Sequence, residues 1–228
     1  MTKVNLFINF YLDKNPARQN ELNICVASNI YNPEIDTINI LVSNRDLVEL
    51  LRFKDKIEEK FREKIIIHPF EFRPTYNHYF KFTEAFPNDI NIISNKDIIL
   101  DEQSLKTLKQ WDFKNYCLAL TRWDYVNANL EADKAVFYNH ADSQDTWIIK
   151  GSFKQITDAT FGLAIAGCDN KIALLLEQHY TVINPSLEIK AYHYHISNIR
   201  NYTNMVGQAI ERIPPPYKLI TPTMLPNE

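Results

Sequence analysis

Five short stretches of this sequence hold residue types that could do chemistry. In NIISNKDIILD (91–101) an apolar run breaks at Ser94-Asn95-Lys96-Asp97 and resumes at Ile98. An amide and a carboxylate two residues apart, at the end of a buried strand, can present oxygens to a hard cation. Mg²⁺ and Mn²⁺ take carboxylate, water and phosphate oxygens and use only one or two protein carboxylates. The same letters also make an ordinary turn, with Asp101 either a further partner of such a site or the N-cap of a following helix.

The second stretch is AGCDNKIA (166–173), where Asp169 stands at a helix start behind a glycine: a dipole contact, or a general base facing a pocket. Third, in SQDTWIIKG (143–151) a carboxylate, Asp145, and an aromatic face, Trp147, could orient a sugar; a core tryptophan after a turn is the plainer reading. Fourth, in KAYHYHIS (190–197) strand alternation puts His193 and His195 on one face and Tyr192 and Tyr194 on the other. Imidazoles so paired suit Mn²⁺ or a phosphate. Fifth, Arg73-Pro74-Thr75-Tyr76 offers a guanidinium for phosphate and a ring for a base, or else a stiff surface turn.

The elements that must position these residues are legible from hydrophobic runs. Val4–Phe10, 35–42, 64–68, 90–93, 116–120, 146–149 and 181–183 read as strands, with 187–195 as a further one. Helices are expected from Pro16, over 46–63, up to Phe86, from about Glu102 and over 170–179. The β-α-β-α-β rhythm of the first half argues for a mainly parallel sheet covered by helices. In such sheets ligands bind beyond the carboxyl ends of the strands, where Tyr11, Ser43, His68 and Asp97 fall. The tail from Pro214 is proline-rich, and an extended or mobile conformation is expected of it.

Bulk properties bound the function. The chain has 228 residues, 45% hydrophobic and 23% charged, enough for one large domain. A net charge of −3 gives no basic footprint for nucleic acid. No apolar run approaches the ~20 residues of a membrane span, and the N-terminal segment reads as a strand rather than a signal peptide. Three scattered cysteines (Cys25, Cys117, Cys168) suggest reduced thiols in a cytoplasmic protein. Only four glycines are present, and neither GxxxxGK[ST] nor GxGxxG occurs, so a nucleotide would have to be held by another device.

In their order along the chain, these stretches resemble the nucleotide-sugar glycosyltransferases of GT-A type, family-2-like, and most of all a compact subgroup seen in bacteria and in capsid-glycan enzymes of large algal viruses. The resemblance runs from residue 3 to about 202. VNLFINFY resembles the first strand leading into the nucleotide pocket, NIISNKD the strand leading to a DxD element, GCDNKIA the helix start that supplies the base, and NPSLEIKAYHYHIS with RNY (200–202) the closing strand whose histidine completes a metal site.

The resemblance implies a single α/β domain of GT-A (Rossmann-like) fold over 1–213, with a mixed, mainly parallel sheet flanked by helices and a tail over 214–228. It implies Mn²⁺ or Mg²⁺ held by Asp97 with His193 or His195. A nucleotide-diphosphate sugar, with UDP favoured, would meet Asn9, Tyr11, Arg73, Tyr76, Asn95, Lys96 and Lys190. A glycan or other hydroxyl acceptor would lie near Trp147 and Asn170, with Asp169 or its rival Asp145 as the base of an inverting single displacement. The first DxD position is Asn95, one carboxylate fewer than the pattern, and Lys96 at its middle would itself contact phosphate. The alternatives are a metal-dependent phosphoesterase or nucleotidyltransferase, and a sugar-nucleotide or glycan-binding module without chemistry.

Overall fold

Val4–Phe10 (β1) is buried along its whole length, a state a strand reaches only with both edges paired and both faces covered. The computed structural model, which describes residues 2–199 and 211–226, provides this cover. β1 pairs in parallel with Thr37–Ser43 (β2) and with Ile90–Ser94 (β4), and β2 with Ile65–Phe70 (β3). Beyond β4, Thr146–Lys150 (β9) runs antiparallel to both β4 and Tyr116–Leu120 (β6), and Thr181–Ile183 (β10) closes the sheet parallel to β6. The order is β10-β6-β9-β4-β1-β2-β3, a mixed, mainly parallel sheet.

Helices cover both faces. Pro16–Tyr31 (α1) starts where Asn15 accepts hydrogen bonds from the backbone N–H groups of Ala17 and Arg18, with proline in the first turn where its missing N–H costs nothing. Val26 and Ile30 of α1, Leu50 of Leu47–Asp55 (α2), and Leu105 and Leu108 of Glu102–Gln110 (α5) pack on the Leu6, Ile8 and Ile40 face. Tyr76, Tyr79 and Phe80 of Tyr76–Thr83 (α4) and Ile172, Leu175 and Leu176 of Cys168–Leu176 (α6) pack on the Phe7, Ile93 and Trp147 face. The helix expected over 46–63 is broken: α2 ends at Asp55, Ile57 turns into the core, and a short helix, Glu59–Arg62 (α3), follows. None of the helices described is long and apolar enough to cross a membrane.

A second sheet, in the order β5-β11-β7-β8, is built from four very short strands: Ile98–Leu100 (β5), Trp123–Asp124 (β7), Val136–Phe137 (β8) and Ala191–His193 (β11). The long strand expected over 187–195 shrinks to its last part, because residues 185–189 form a turn in which Ile189 N–H donates to the Pro185 carbonyl (2.8 Å). Tyr192 and Tyr194 do lie on the opposite side from the histidines, against Tyr125.

The segment 211–226 is extended, as expected, but docked rather than mobile. Lys218 N–H donates to the Asn170 carbonyl (3.0 Å), Ile220 N–H to Ala141 (2.9 Å) and Thr223 N–H to Asn184 (2.7 Å). Ile220 is buried. This strap crosses the start of α6, where Gly167 has φ +79° and a Cβ would stand 2.8 Å from the Tyr217 hydroxyl.

Candidate active site at the strand ends

Strand direction gathers the chemistry at one edge. β1 and β4 end there, β6 ends there, and antiparallel β9 begins there, since Ser94 and Leu120 both sit opposite Thr146. Residues 11, 95–97, 121–122 and 145 are therefore neighbours. The second sheet adds a histidine by register: His193 lies opposite Ile98 on one side and Asp124 on the other.

The result is a chain of alternating charges. Asp97 is gripped by Arg18 of α1 and lies 3.3 Å from His193 Nε2. His193 Nδ1–H donates to Asp124 Oδ1 (2.7 Å), and Arg122 Nε–H to the same oxygen (3.0 Å). Arg122 Nη1 then reaches Asp145 Oδ2 (3.0 Å), whose other oxygen accepts from the Asn95 amide (2.7 Å). At the far end Arg18 also donates to Glu21 (3.1 Å) and the Tyr194 carbonyl (3.1 Å). Burial by itself would raise the Asp97 carboxyl, but His193 and then Arg18 outweigh it and hold it well below the usual range. Burial would lower His193, yet Asp97 and Asp124 lift it to about 9. A cavity of about 260 Å³ opens beside Arg122, Asp124, Tyr138, His193 and His195.

Asp169 differs from all of these. It sits in the first turn of α6, half-buried, and burial and then the charge of Asp145 push its carboxyl up to about 6. Backbone N–H groups, including that of Gln144, offset part of this. The rivals for the base thus have different surroundings: both oxygens of Asp145 are held, by Asn95 and Arg122, whereas Asp169 has no ion-pair partner among the described residues.

Several other residues named from the sequence stand elsewhere. Tyr76 is fully buried, its ring edge-on to Trp147 at 5.3 Å and its hydroxyl toward Cys168 Sγ. It is a core residue of α4 and cannot stack on a nucleobase. Trp147, 1% exposed, is likewise core and presents no face to an acceptor. Lys96 turns inward: its Nζ donates to the Tyr11 carbonyl (2.8 Å), 3.9 Å over the Phe10 ring, and burial lowers it to about 7. It is a strut beneath the end of β1, not a phosphate ligand. Lys190 stands at the start of β11, away from His193, with its ammonium 4.6 Å over the Trp123 ring.

Arg73 is exposed and donates to the Leu163 carbonyl, while Asn9 lies one residue short of the end of β1. Asn170 is nearly buried under the strap, its carbonyl taken by Lys218. His195 packs edge-on to His193 (5.5 Å), but its Nε2–H donates to the Ile199 carbonyl (2.8 Å) rather than facing Asp97. Asp101 is the N-cap of α5, accepting from Ser104 N–H (2.8 Å). Residues 200–202 lie outside the described residues.

Three residues at the centre of the network, Arg18, Arg122 and Asp124, escape sequence reasoning, because each reads as an ordinary helix or turn charge. Among the described residues, no group of three His, Cys, Asp or Glu side chains surrounds one point, so a cation here would draw on two protein ligands.

No family model matches the chain, and no curated protein matches it in sequence. Solved structures do resemble it. A mannosyltransferase, PcManGT from Pyrobaculum calidifontis, in complex with GDP-Man and Mn²⁺, superposes with a TM-score of 0.52 at 11% identity, covering 88% of this chain and 58% of that one. Staphylococcus aureus TarS 1-349 with UDP-GlcNAc gives 0.48 at 10%, covering 87% and 62%. A 4-diphosphocytidyl-2C-methyl-D-erythritol synthase from Anaerococcus prevotii gives 0.48 at 14%, covering 89% and 91%. This chain therefore spans less than two thirds of the length of the mannosyltransferase. The fold is that of GT-A-type glycosyltransferases.

Proposed function

We propose that this chain is a nucleotide-sugar glycosyltransferase. In this reading it moves a sugar from a nucleotide-diphosphate donor, a UDP-sugar by preference, to a hydroxyl of a glycan or other acceptor, inverting the anomeric carbon. One contrast carries the reading: on a GT-A fold, Asp97 is held between the Arg18 guanidinium and His193, while Asp169, in the first turn of α6, has no ion-pair partner among the described residues and is raised to about 6. Sites that pair a charge-binding end with a proton-accepting end separate their carboxylates in this way.

The donor set fits a divalent cation. Asp97 Oδ2, which Arg18 also holds, and His193 Nε2 are 3.3 Å apart, close enough for both to reach one ion once it displaces the Nε2 proton. Asp124 on Nδ1 is the outer partner that aims Nε2 at a metal. Asp97 and His193 would hold Mn²⁺ or Mg²⁺, leaving other positions to phosphate and water, as these ions prefer. When bound, the ion would offset the charge that develops on the leaving diphosphate. Arg18, on the same carboxylate, keeps it ionised and still.

Asp169 takes the proton of the acceptor hydroxyl as that oxygen attacks the anomeric carbon. The bond from that carbon to the diphosphate oxygen breaks, and the diphosphate leaves with the electron pair. A base positioned near its operating pKa contributes on the order of 10²–10⁴-fold. With both Asp145 oxygens engaged, a covalent intermediate has no evident nucleophile among the described residues, which favours single displacement and inversion.

Calorimetric titration of UDP, GDP and dTDP, with and without Mn²⁺, on wild type and Asp97→Ala tests the donor end. Mn²⁺-dependent binding of one nucleotide, lost in the variant, is expected. Binding indifferent to both metal and Asp97 would refute the assignment. Product configuration read by NMR tests inversion, and rapid phosphoester cleavage with no acceptor would favour a phosphoesterase instead.

A further inference from the structure

Arg122 follows directly on the edge where β6 ends, and its guanidinium is used on two sides. Nε–H donates to Asp124 Oδ1 (3.0 Å), and Nη1 donates to Asp145 Oδ2 (3.0 Å) and Ser143 Oγ (3.1 Å). Its central carbon lies 4.2 Å over the Tyr138 ring, which fixes the plane of the fork. Each carboxylate has a second duty. The Asp124 oxygen that Arg122 holds is the one that accepts from His193 Nδ1–H. The Asp145 carboxylate, steadied on its other oxygen by Asn95, is the like charge that, after burial, raises Asp169; among the described residues Cys168 and Tyr76 also interact with Asp169. A planar guanidinium can serve two carboxylates at once in fixed directions, which a lysine ammonium on a flexible stem cannot.

We propose that Arg122 is a positioning residue that couples the two ends of the site, orienting through Asp124 the histidine of the cation end and holding through Asp145 the charge beside the proton-accepting end. This rests on the assignment of Asp97 with His193 and of Asp169 given above. Removing the guanidinium then has two separate effects. Asp124 loses the partner that holds it against His193. Asp145 loses its cation, so its charge acts more strongly on the Asp169 carboxyl, which holds its proton to higher pH.

The test uses the full chain as Arg122→Gln and Arg122→Lys, checked for folding by amide NMR, with two readouts that need no turnover. Mn²⁺ alone is titrated by electron paramagnetic resonance. The Asp169 carboxyl is titrated by ¹³C NMR, its resonance identified by Asp169→Asn. Arg122→Gln is expected to weaken Mn²⁺ binding about tenfold and raise the Asp169 midpoint by about half to one pH unit. Arg122→Lys, with one ammonium for two carboxylates, restores at most one of the two. If Arg122→Gln moves neither readout, or only one, the coupling is refuted. Should Arg122→Gln not fold, wild-type values for both in Arg122→Lys refute it equally. Absence of turnover by wild type with any nucleotide sugar would remove the functional reading, yet leave both titrations interpretable.

Discussion

The two ends of the site are built on opposite terms. Around Asp97 every charged group is paired: Glu21, Arg18, Asp97, His193, Asp124, Arg122 and Asp145 follow one another in contact. Some buried polar atoms, by contrast, are left over. Asn95 Oδ1, Gln144 Oε1, Trp147 Nε1 and Asn170 Oδ1 are buried without a hydrogen-bond partner among the described residues. Buried polar atoms are paired in the great majority of cases, so each of these is an exception. The first end is organised in advance for charge, and its dipoles need not move as charge develops. Asp169 instead carries a carboxyl that burial and then the charge of Asp145 push up to about 6.

The sharpest way to break this comparison is Asp169→Asn. It is expected to lower kcat by about 10²–10⁴-fold while raising stability. The sign follows from the shift: the folded carboxyl, at about 6, lies above its ordinary 3.8. Stability from this group is therefore complete below about pH 4 and lost as pH rises through 6. At pH 7 the amide removes a penalty of order 1–3 kcal/mol, read as a higher Tm; an unchanged Tm with lost activity would deny that Asp169 is strained in its site. Wild-type kcat/KM should in turn fall tenfold per unit below about pH 6 and be flat above it. An acid limb near 4 would point back to an ordinary carboxylate.

Next in size is Gly167→Ala, which sharpens the role of the strap. A Cβ there meets the Tyr217 hydroxyl at 2.8 Å and the Ile213 carbonyl at 3.1 Å, in a backbone conformation other residues avoid. A loss of roughly 1–3 kcal/mol is expected, measurable by urea unfolding. A neutral result would mean the strap shifts freely. The smallest effect tests the ordered end: Asn95→Asp restores the acidic first position of DxD but faces Asp145, now 2.7 Å from the Asn95 amide. About 1 kcal/mol should be lost at pH 8 and regained at pH 5 as the pair protonates, with no gain in Mn²⁺ affinity. Tighter Mn²⁺ binding would show Asp145 to be movable.

Much of this was legible in the sequence because strands buried on both faces are long apolar runs, and residues that follow such runs fall at one sheet edge. Asp97 was singled out by that rule, Asp145 by the tryptophan two residues on, His193 by alternation within a strand and Asp169 by its helix start. Arg18, Arg122 and Asp124 were not, since their meaning lies in strand order: β9 inserted between β4 and β6, and a second sheet of strands two or three residues long, too short to show any period. Tyr76, Trp147 and Lys96 misled for the converse reason. An aromatic or a cation near a strand end suggests a ligand, and only the packing of α4 and the inward turn of Lys96 show otherwise. The shortened β11 follows from the turn at Pro185, which a run of alternating residues does not reveal.

The Asn184 side chain ties the start of the Arg122 loop to the strap: its amide donates to Thr121 Oγ1 (2.8 Å) and the Ile220 carbonyl (2.9 Å), and its carbonyl oxygen accepts from Thr121 N–H (3.1 Å). During synthesis, then, a ribosome-bound chain can fold the first half of its sheet early. His193, Ile220 and Thr223 come long after Asp97 and Arg122 have emerged. The ion pairs among Arg18, Glu21, Asp97, Arg122, Asp124 and Asp145 can thus form before His193 joins Asp97 to Asp124.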